Sequence, residues 1–157
     1  MAEVVERANG VADGALRIRV ARKVFPPVGG RPAQPVLKDI AIDIEPRSFV
    51  VITGPSGCGK STLLNIIAGL DSDYEGEIVL GGPDTKVGYI FQSPRLLPWR
   101  TVYENIALVL PDGDPRHARI DEMLRQVGLE GFGSQYPERL SLGMQRRAAL
   151  ARGFITE

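Results

Sequence analysis

Apolar and polar positions alternate twice near the start of the chain. In "ALRIRVARKVF", Leu16, Ile18 and Val20 alternate with arginines, and in "VLKDIAIDI", Ile40, Ile42 and Ile44 share one face. A period of two predicts an amphipathic, antiparallel-type strand in each. Between them "PPVGGRPAQP" (26–35) reads as a Pro/Gly loop. "SFVVITG" is different: a continuous apolar run closed by glycine, which predicts a strand buried on both faces. The helix "KSTLLNIIAGL" follows at once, and "GEIVLGG" and "VGYIFQ" read as two further short strands. From Thr101 the period becomes helical. "TVYENIALVL" opens with Thr101 at the N-cap and Glu104 three residues on, a capping box. "DPRHARIDEMLRQVGL" has Asp114 as N-cap, Pro115 at the first helical position and Gly128 past the end. Its Ile120, Met123, Leu124 and Val127 form one apolar stripe. "YPERLSLGMQRRAALARGFI" reads as a turn and a third helix.

These elements predict an α/β organisation in three parts: a frayed N-terminus (1–14), an α/β core (15–94), and a helical segment (95–157). With 157 residues, 43% hydrophobic and 24% charged, the chain has the composition of a globular domain with a real core. Nineteen basic side chains balance nineteen acidic ones, so neither nucleic acid nor an anionic lipid surface is indicated as the main partner. No apolar run is long enough to span a bilayer, and "MAEVVERANG" lacks the pattern of a signal peptide. A single cysteine, Cys58, excludes an internal disulfide and suits a reducing compartment. The cytoplasm is the expected location, with docking to a membrane partner still open. The lone histidine, His117, has no second histidine or cysteine cluster near it and is expected to be a solvated helix residue.

Chemistry concentrates in "GPSGCGKSTLL". Gly54, Gly59, Lys60 and Ser61 satisfy G-x-x-x-x-G-K-[ST] between an apolar strand and an apolar helix, the context that motif requires. Glycines let backbone N–H groups curl inward into an anion nest at a helix N-terminus, whose dipole favours negative charge. Lys60 supplies a point charge toward the β- and γ-phosphates, and Ser61 offers a hydroxyl to Mg²⁺. The nucleotide-binding set is therefore Gly54, Pro55, Ser56, Gly57, Cys58, Gly59, Lys60, Ser61 and Thr62, holding a nucleoside triphosphate. The loop by itself does not choose among GTPases, small-molecule kinases and transport ATPases. The N-K-x-D segment that reads guanine is absent from the sequence.

With these motifs in place the sequence resembles a known family. "VLKDIAIDIEPRSFVVITGPSGCGKSTLLNIIAGLDSDYEGEIVLGG" looks like the N-terminal half of an ATP-binding cassette (ABC) transporter ATPase, a P-loop NTPase. "VGYIFQSPRLLPWRTVYENIAL" resembles its Q-loop region, and "YPERLSLGMQRRAALARGFI" its signature and the helix that follows. The wording "LLPWRTVYENI" and "SxGMQRR" is most similar to importer ATPases for nitrate, sulfonates and taurine. The resemblance implies MgATP hydrolysis coupled to uptake of a small anion. It further implies a head-to-tail dimer with a second ATPase subunit, docking to transmembrane permease subunits on the inner face of the membrane, and an indirect link to a periplasmic or lipoprotein solute-binding protein. Gln92 would coordinate Mg²⁺ and orient the attacking water; as a bare residue it could equally cap its own loop. Ser141, Leu142, Gly143 and Met144 would face the ATP of the partner subunit, Leu142 standing where the family commonly has glycine and Met144 where glutamine is common. Ser141 is also a physically sound helix N-cap, a compatible role. Phe25 occupies the place of an aromatic ring that stacks on adenine, the alternative being packing in the core at a strand end. "SPRLLPW" suits either docking to a partner or packing against the helical part.

The family continues after its signature helix into an apolar strand ending in Asp-Glu (the Walker B acids), then a switch histidine. This sequence reaches Glu157 without them; "DEML" and His117 both precede the signature. The expectation is of a C-terminally truncated form that by itself binds ATP weakly and hydrolyses it negligibly. A nucleotide-binding remnant without turnover and another P-loop enzyme, such as a small-molecule kinase, are the rival readings.

Overall fold

A computed structural model of the chain describes residues 15–27, 29–30, 32–82 and 85–156. The stretch 1–14, expected to fray, lies outside the described residues. The chain divides into two compact units, Met1–Val87 and Gly88–Glu157.

In the first unit β1 (Leu16–Phe25) lies between β2 (Gln34–Ile44) and β3 (Glu75–Leu80), both antiparallel to it. The register carries out the alternation: Ile18 faces Ile42 on one side and Ile78 on the other, and Val20 faces Ile40. Ile18 and Val20 are fully buried on the inner face, where Leu37 joins them. The helix α1 (Lys60–Ile67) adds Leu63 and Ile66, three residues apart and so on one face. On the other face Arg19 donates to the Asp43 carboxylate at 2.7 Å and Arg17 lies 3.7 Å from it.

Two expected strands do not form. Residues 48–54 and 87–92 carry no strand ladder, and the described ladders join β1 to β2 and β3 only. Phe49 is 92% exposed and Val51 64%, in place of burial on both faces. An apolar run becomes a strand only when a neighbour accepts its N–H and C=O groups. Among the described residues no element pairs with either run.

The second unit is helical: α2 (Val102–Ala107), α3 (Ile120–Gln126) and α4 (Leu142–Phe154). The capping box is present in full: Thr101 Oγ1 accepts from the Glu104 amide at 3.2 Å, and Glu104 Oε2 accepts from the Thr101 amide at 2.7 Å. Those bonds to Thr101 hold the Glu104 carboxyl below its usual range. Asp114 caps a 3-10 turn, Pro115–Arg119, that leads into α3, so the expected helix starts tighter than an α-helix. Ile120 and Leu124 of the expected stripe are buried, with Met123 and Val127 packed partly against the same core. Val102, Ile106, Leu110, Leu129, Leu140, Ala148, Ala151 and Ile155 are buried with them. His117 lies on the 3-10 turn, half-buried, its Nε2 3.1 Å from the Pro111 carbonyl. Among the described residues no group of three or more His, Cys, Asp or Glu could hold a metal ion, and no helix is long and apolar enough to cross a membrane.

Candidate nucleotide-binding site

The loop before α1 is built around left-handed backbone. Gly57 has φ 81° and Gly59, the residue that opens α1, has φ 98°. Both lie where a side chain is strained. Gly59 is also buried: a Cβ there would come within 2.7 Å of Leu37 Cδ2 and 3.1 Å of the Val36 carbonyl oxygen. β2 therefore packs directly on the back of the loop. No side chain caps α1, and its first turn carries no acidic residue. The helix-start amides and the positive end of the dipole are thus left to an anion.

Lys60 is the first residue of α1 and folds back over the loop. Its Nζ donates to the carbonyls of Gly54 and Pro55 at 2.8 Å each and lies 3.6 Å from Cys58 Sγ. The ammonium is tethered across the loop by weak acceptors that a phosphate oxygen would outcompete, because hydrogen bonds between two charged groups are roughly twice as strong. Pro55, Ser56, Cys58 and Ser61 are exposed and Thr62 half-buried. The set fits a triphosphate: inward glycine-rich backbone, one lysine, and an exposed Ser61 hydroxyl of the oxygen type that Mg²⁺ prefers.

Phe25 stands at the end of β1 and is 42% exposed. Core packing, the alternative for this residue, is not what the structure shows. Beneath the ring is a lysine that sequence reasoning missed. Lys23 is 2% exposed, and its Nζ lies 2.8 Å from Asp71 Oδ1 and 5.1 Å from the Phe25 ring centroid. Burial pulls the Lys23 pKa down, but hydrogen bonds and the charges of Asp71 and Asp73 outweigh it, and the net shift is upward. Asp71 is held below the usual carboxylate range by its bond from Lys23.

Gln92, exposed, belongs to the second unit. The segment around it is held by side chains: the Phe91 ring meets Tyr89 edge-on at 4.6 Å, and the Arg95 guanidinium sits 4.0 Å from the Phe91 centroid. Arg152 of α4 donates to the carbonyls of Pro94 and Arg95 at 3.0 Å each. Asn105 does the same for the next stretch. Fully buried, it accepts from the Leu97 amide at 2.7 Å and donates to the carbonyls of Leu97, Arg100 and Thr101. This divides "SPRLLPW": Leu96 packs on the helical core, while Trp99 is 71% exposed. A signal for Asn105 was available, since 102, 105 and 106 have the spacing of a buried stripe.

Ser141 caps α4, its Oγ accepting from the Met144 amide at 3.3 Å. Leu142 is 55% exposed and Gly143 is exposed, so the leucine stands out from the first turn without displacing the cap. Gln145 fastens the approach to this turn, donating to the carbonyls of Pro137 and Leu140. Gly54 to Thr62 thus form one continuous site in the first unit, with Phe25 on the same unit, while Gln92 and Ser141 to Met144 are carried by the second.

Residues 37–157 match the ABC transporter family. An aliphatic sulfonates import ATP-binding protein of Burkholderia cenocepacia is 43% identical over 94% of this chain and 54% of its own length. The Bacillus licheniformis protein of the same description is 45% identical over 91% of this chain and 58% of its own. The chain therefore spans about half the length of the curated relatives it matches. Among solved structures, the ATP-binding cassette MJ0796, a dimer in a post-hydrolysis state bound to ADP and Pi, superposes with a TM-score of 0.76 at 32% identity, covering 89% of this chain and 69% of that one. The fold is that of an ABC ATPase cassette, and the chain belongs to the ABC transporter family.

Proposed function

We propose that this chain is the nucleotide-binding portion of the ATPase subunit of an importer, which couples MgATP binding and hydrolysis to uptake of a small anion of the sulfonate, taurine or nitrate kind. The observation that carries the reading is the loop Gly54–Thr62, with left-handed Gly57 and Gly59 and with Lys60 tethered across its mouth. The import names of its relatives support the direction of transport and the class of solute. The α/β core (15–94) would hold ATP and the helical part (95–157) the signature.

In this reading the loop amides and Lys60 neutralise the phosphate chain, and Phe25 stacks on adenine. Ser61 and Gln92 would hold Mg²⁺, which supplies charge neutralisation between the phosphates. Ser141 and Gly143, with Leu142 and Met144 beside them, would present a hydroxyl and backbone amides to ATP held by a second subunit in a head-to-tail dimer, as the dimeric cassette structure supports. Catalysis then consists of positioning and electrostatics, and closure of the dimer would be passed to permease subunits at the inner face of the membrane.

The direct test is equilibrium dialysis with labelled ATP. The wild-type chain should bind, Lys60→Ala should weaken binding about tenfold or more because a charge-assisted phosphate contact is lost, and Trp99→Ala should leave it unchanged. Equal binding by wild type and Lys60→Ala would sink the reading.

A further inference from the structure

Two features of β1 are unexplained by the phosphate loop: a lysine in the core and an aromatic ring lying on it. Lys23 is 2% exposed, a place where an ammonium persists only with partners. Its Nζ meets Asp71 Oδ1 at 2.8 Å and Asp73 Oδ2 at 3.4 Å and also donates to the Asp73 carbonyl. Both aspartates lie in the segment that leaves α1, the helix opened by the phosphate loop. The same Nζ is 5.1 Å from the Phe25 centroid. One ammonium therefore ties the exposed ring to the far end of the phosphate-loop helix, all within the first unit. An unrestrained ring at a strand end samples several rotamers, and a base stacking on it has to overcome that freedom. A ring fixed over a cation does not.

We propose that Lys23 is a positioning residue for nucleotide binding: anchored by Asp71 and Asp73, it fixes the Phe25 ring so that the base of a nucleotide seated in Gly54–Thr62 stacks on it. The inference rests on the reading of Phe25 as the adenine platform. Its signature is selective. Loss of Lys23 weakens binding of the base but leaves the grip on phosphate.

The experiment measures ATP and inorganic tripolyphosphate, which has the phosphate chain and no base, as ligands of the full chain. Phe25→Ala should bring ATP affinity toward that of tripolyphosphate. Lys23→Met should lower ATP affinity about three- to fivefold, the scale of one cation–π contact, with tripolyphosphate binding unchanged. Asp71→Asn, which keeps an acceptor for Nζ, should lower ATP affinity less and in the same selective way; it carries the test if circular dichroism shows Lys23→Met unfolded. An unchanged ATP-to-tripolyphosphate ratio in these variants, with Phe25→Ala still lowering it, overturns the role of Lys23 and leaves the Phe25 reading standing. A parallel fall in both affinities in folded variants also overturns it, since Lys23 is then structural only. A Phe25→Ala variant with the wild-type ratio removes both.

Discussion

Gly57 and Gly59 both have a positive φ, 81° and 98°, but different surroundings, and the difference sets what each tolerates. Nothing lies within 4 Å of a Cβ built on Gly57, so Gly57→Ala meets only the left-handed backbone cost, about 1 kcal/mol. At Gly59 the same methyl would sit 2.7 Å from Leu37 Cδ2 and 3.1 Å from the Val36 carbonyl oxygen. Backbone does not yield as a side-chain tip does, and overpacking adds about 1–3 kcal/mol to the strain. Gly59→Ala is expected to lose about 2–4 kcal/mol in urea unfolding and to weaken ATP binding in proportion to the displacement of Lys60, the next residue. Gly57→Ala, strained by its φ of 81° but meeting no neighbour, should lose less of both stability and ATP binding than Gly59→Ala does. The same stability loss in both variants would show that β2 does not pack on the loop as described.

At the scale of elements, the structure separates what is local from what is not. Thr101, Asp114 and Ser141 were legible as caps because each bonds an amide two or three residues away, within the span a sequence reading sees. The alternation of β1 and β2 was legible for the same reason. The runs 48–54 and 87–92 were misread because a strand depends on a partner elsewhere in the chain, and their apolar content says nothing about whether one is at hand. Lys23 was missed since Asp71 is 48 positions away. The phosphate loop was the easiest candidate to read, its residues being contiguous, whereas Gln92 and Ser141 are carried by the second unit. Asn105 offers the clearest test at this scale. Its side chain replaces, for the loop 97–101, the hydrogen bonds that secondary structure would supply. Asn105→Ala leaves the Leu97 amide without its buried acceptor and should cost about 2–3 kcal/mol, against about 1 kcal/mol for Thr101→Ala, which removes one cap. Acrylamide quenching of Trp99, the lone tryptophan, should change in Asn105→Ala and not in Thr101→Ala. Identical quenching in both would deny Asn105 its hold on the loop.

For the molecule as a whole, the charged groups set a pH window. The formal net charge is zero, so uniform self-repulsion is not the lever near neutrality. What remains is a set of carboxyls held below their usual values: Asp43 by Arg19, Asp71 by Lys23, Asp114 by Arg116 and Glu122 by Arg125, each through a side-chain hydrogen bond first. A carboxyl whose folded value is depressed contributes stability above its unfolded value, 3.8 for aspartate, and loses that contribution as pH falls through the folded one. Lys23 runs the other way. Its folded pKa is raised, so its contribution is complete below 10.5 and is lost as pH climbs through the higher folded value. The urea midpoint should therefore be flat from about pH 5 to about pH 9 and fall on the acid side below about pH 4. Asp71→Asn separates the buried pair from the rest. A fully buried pair broken by loss of one partner costs about 3–5 kcal/mol, but the Asp71 side chain is 20% exposed and Asn keeps an acceptor, so a loss of about 2 kcal/mol at pH 7 is expected. The variant's acid limb should be shallower than that of the wild type, because one depressed carboxyl no longer takes up a proton on unfolding. A midpoint that rises as pH drops from 4 to 2, or an acid limb equally steep in Asp71→Asn, would contradict a contribution of the Lys23–Asp71 contact to folding stability.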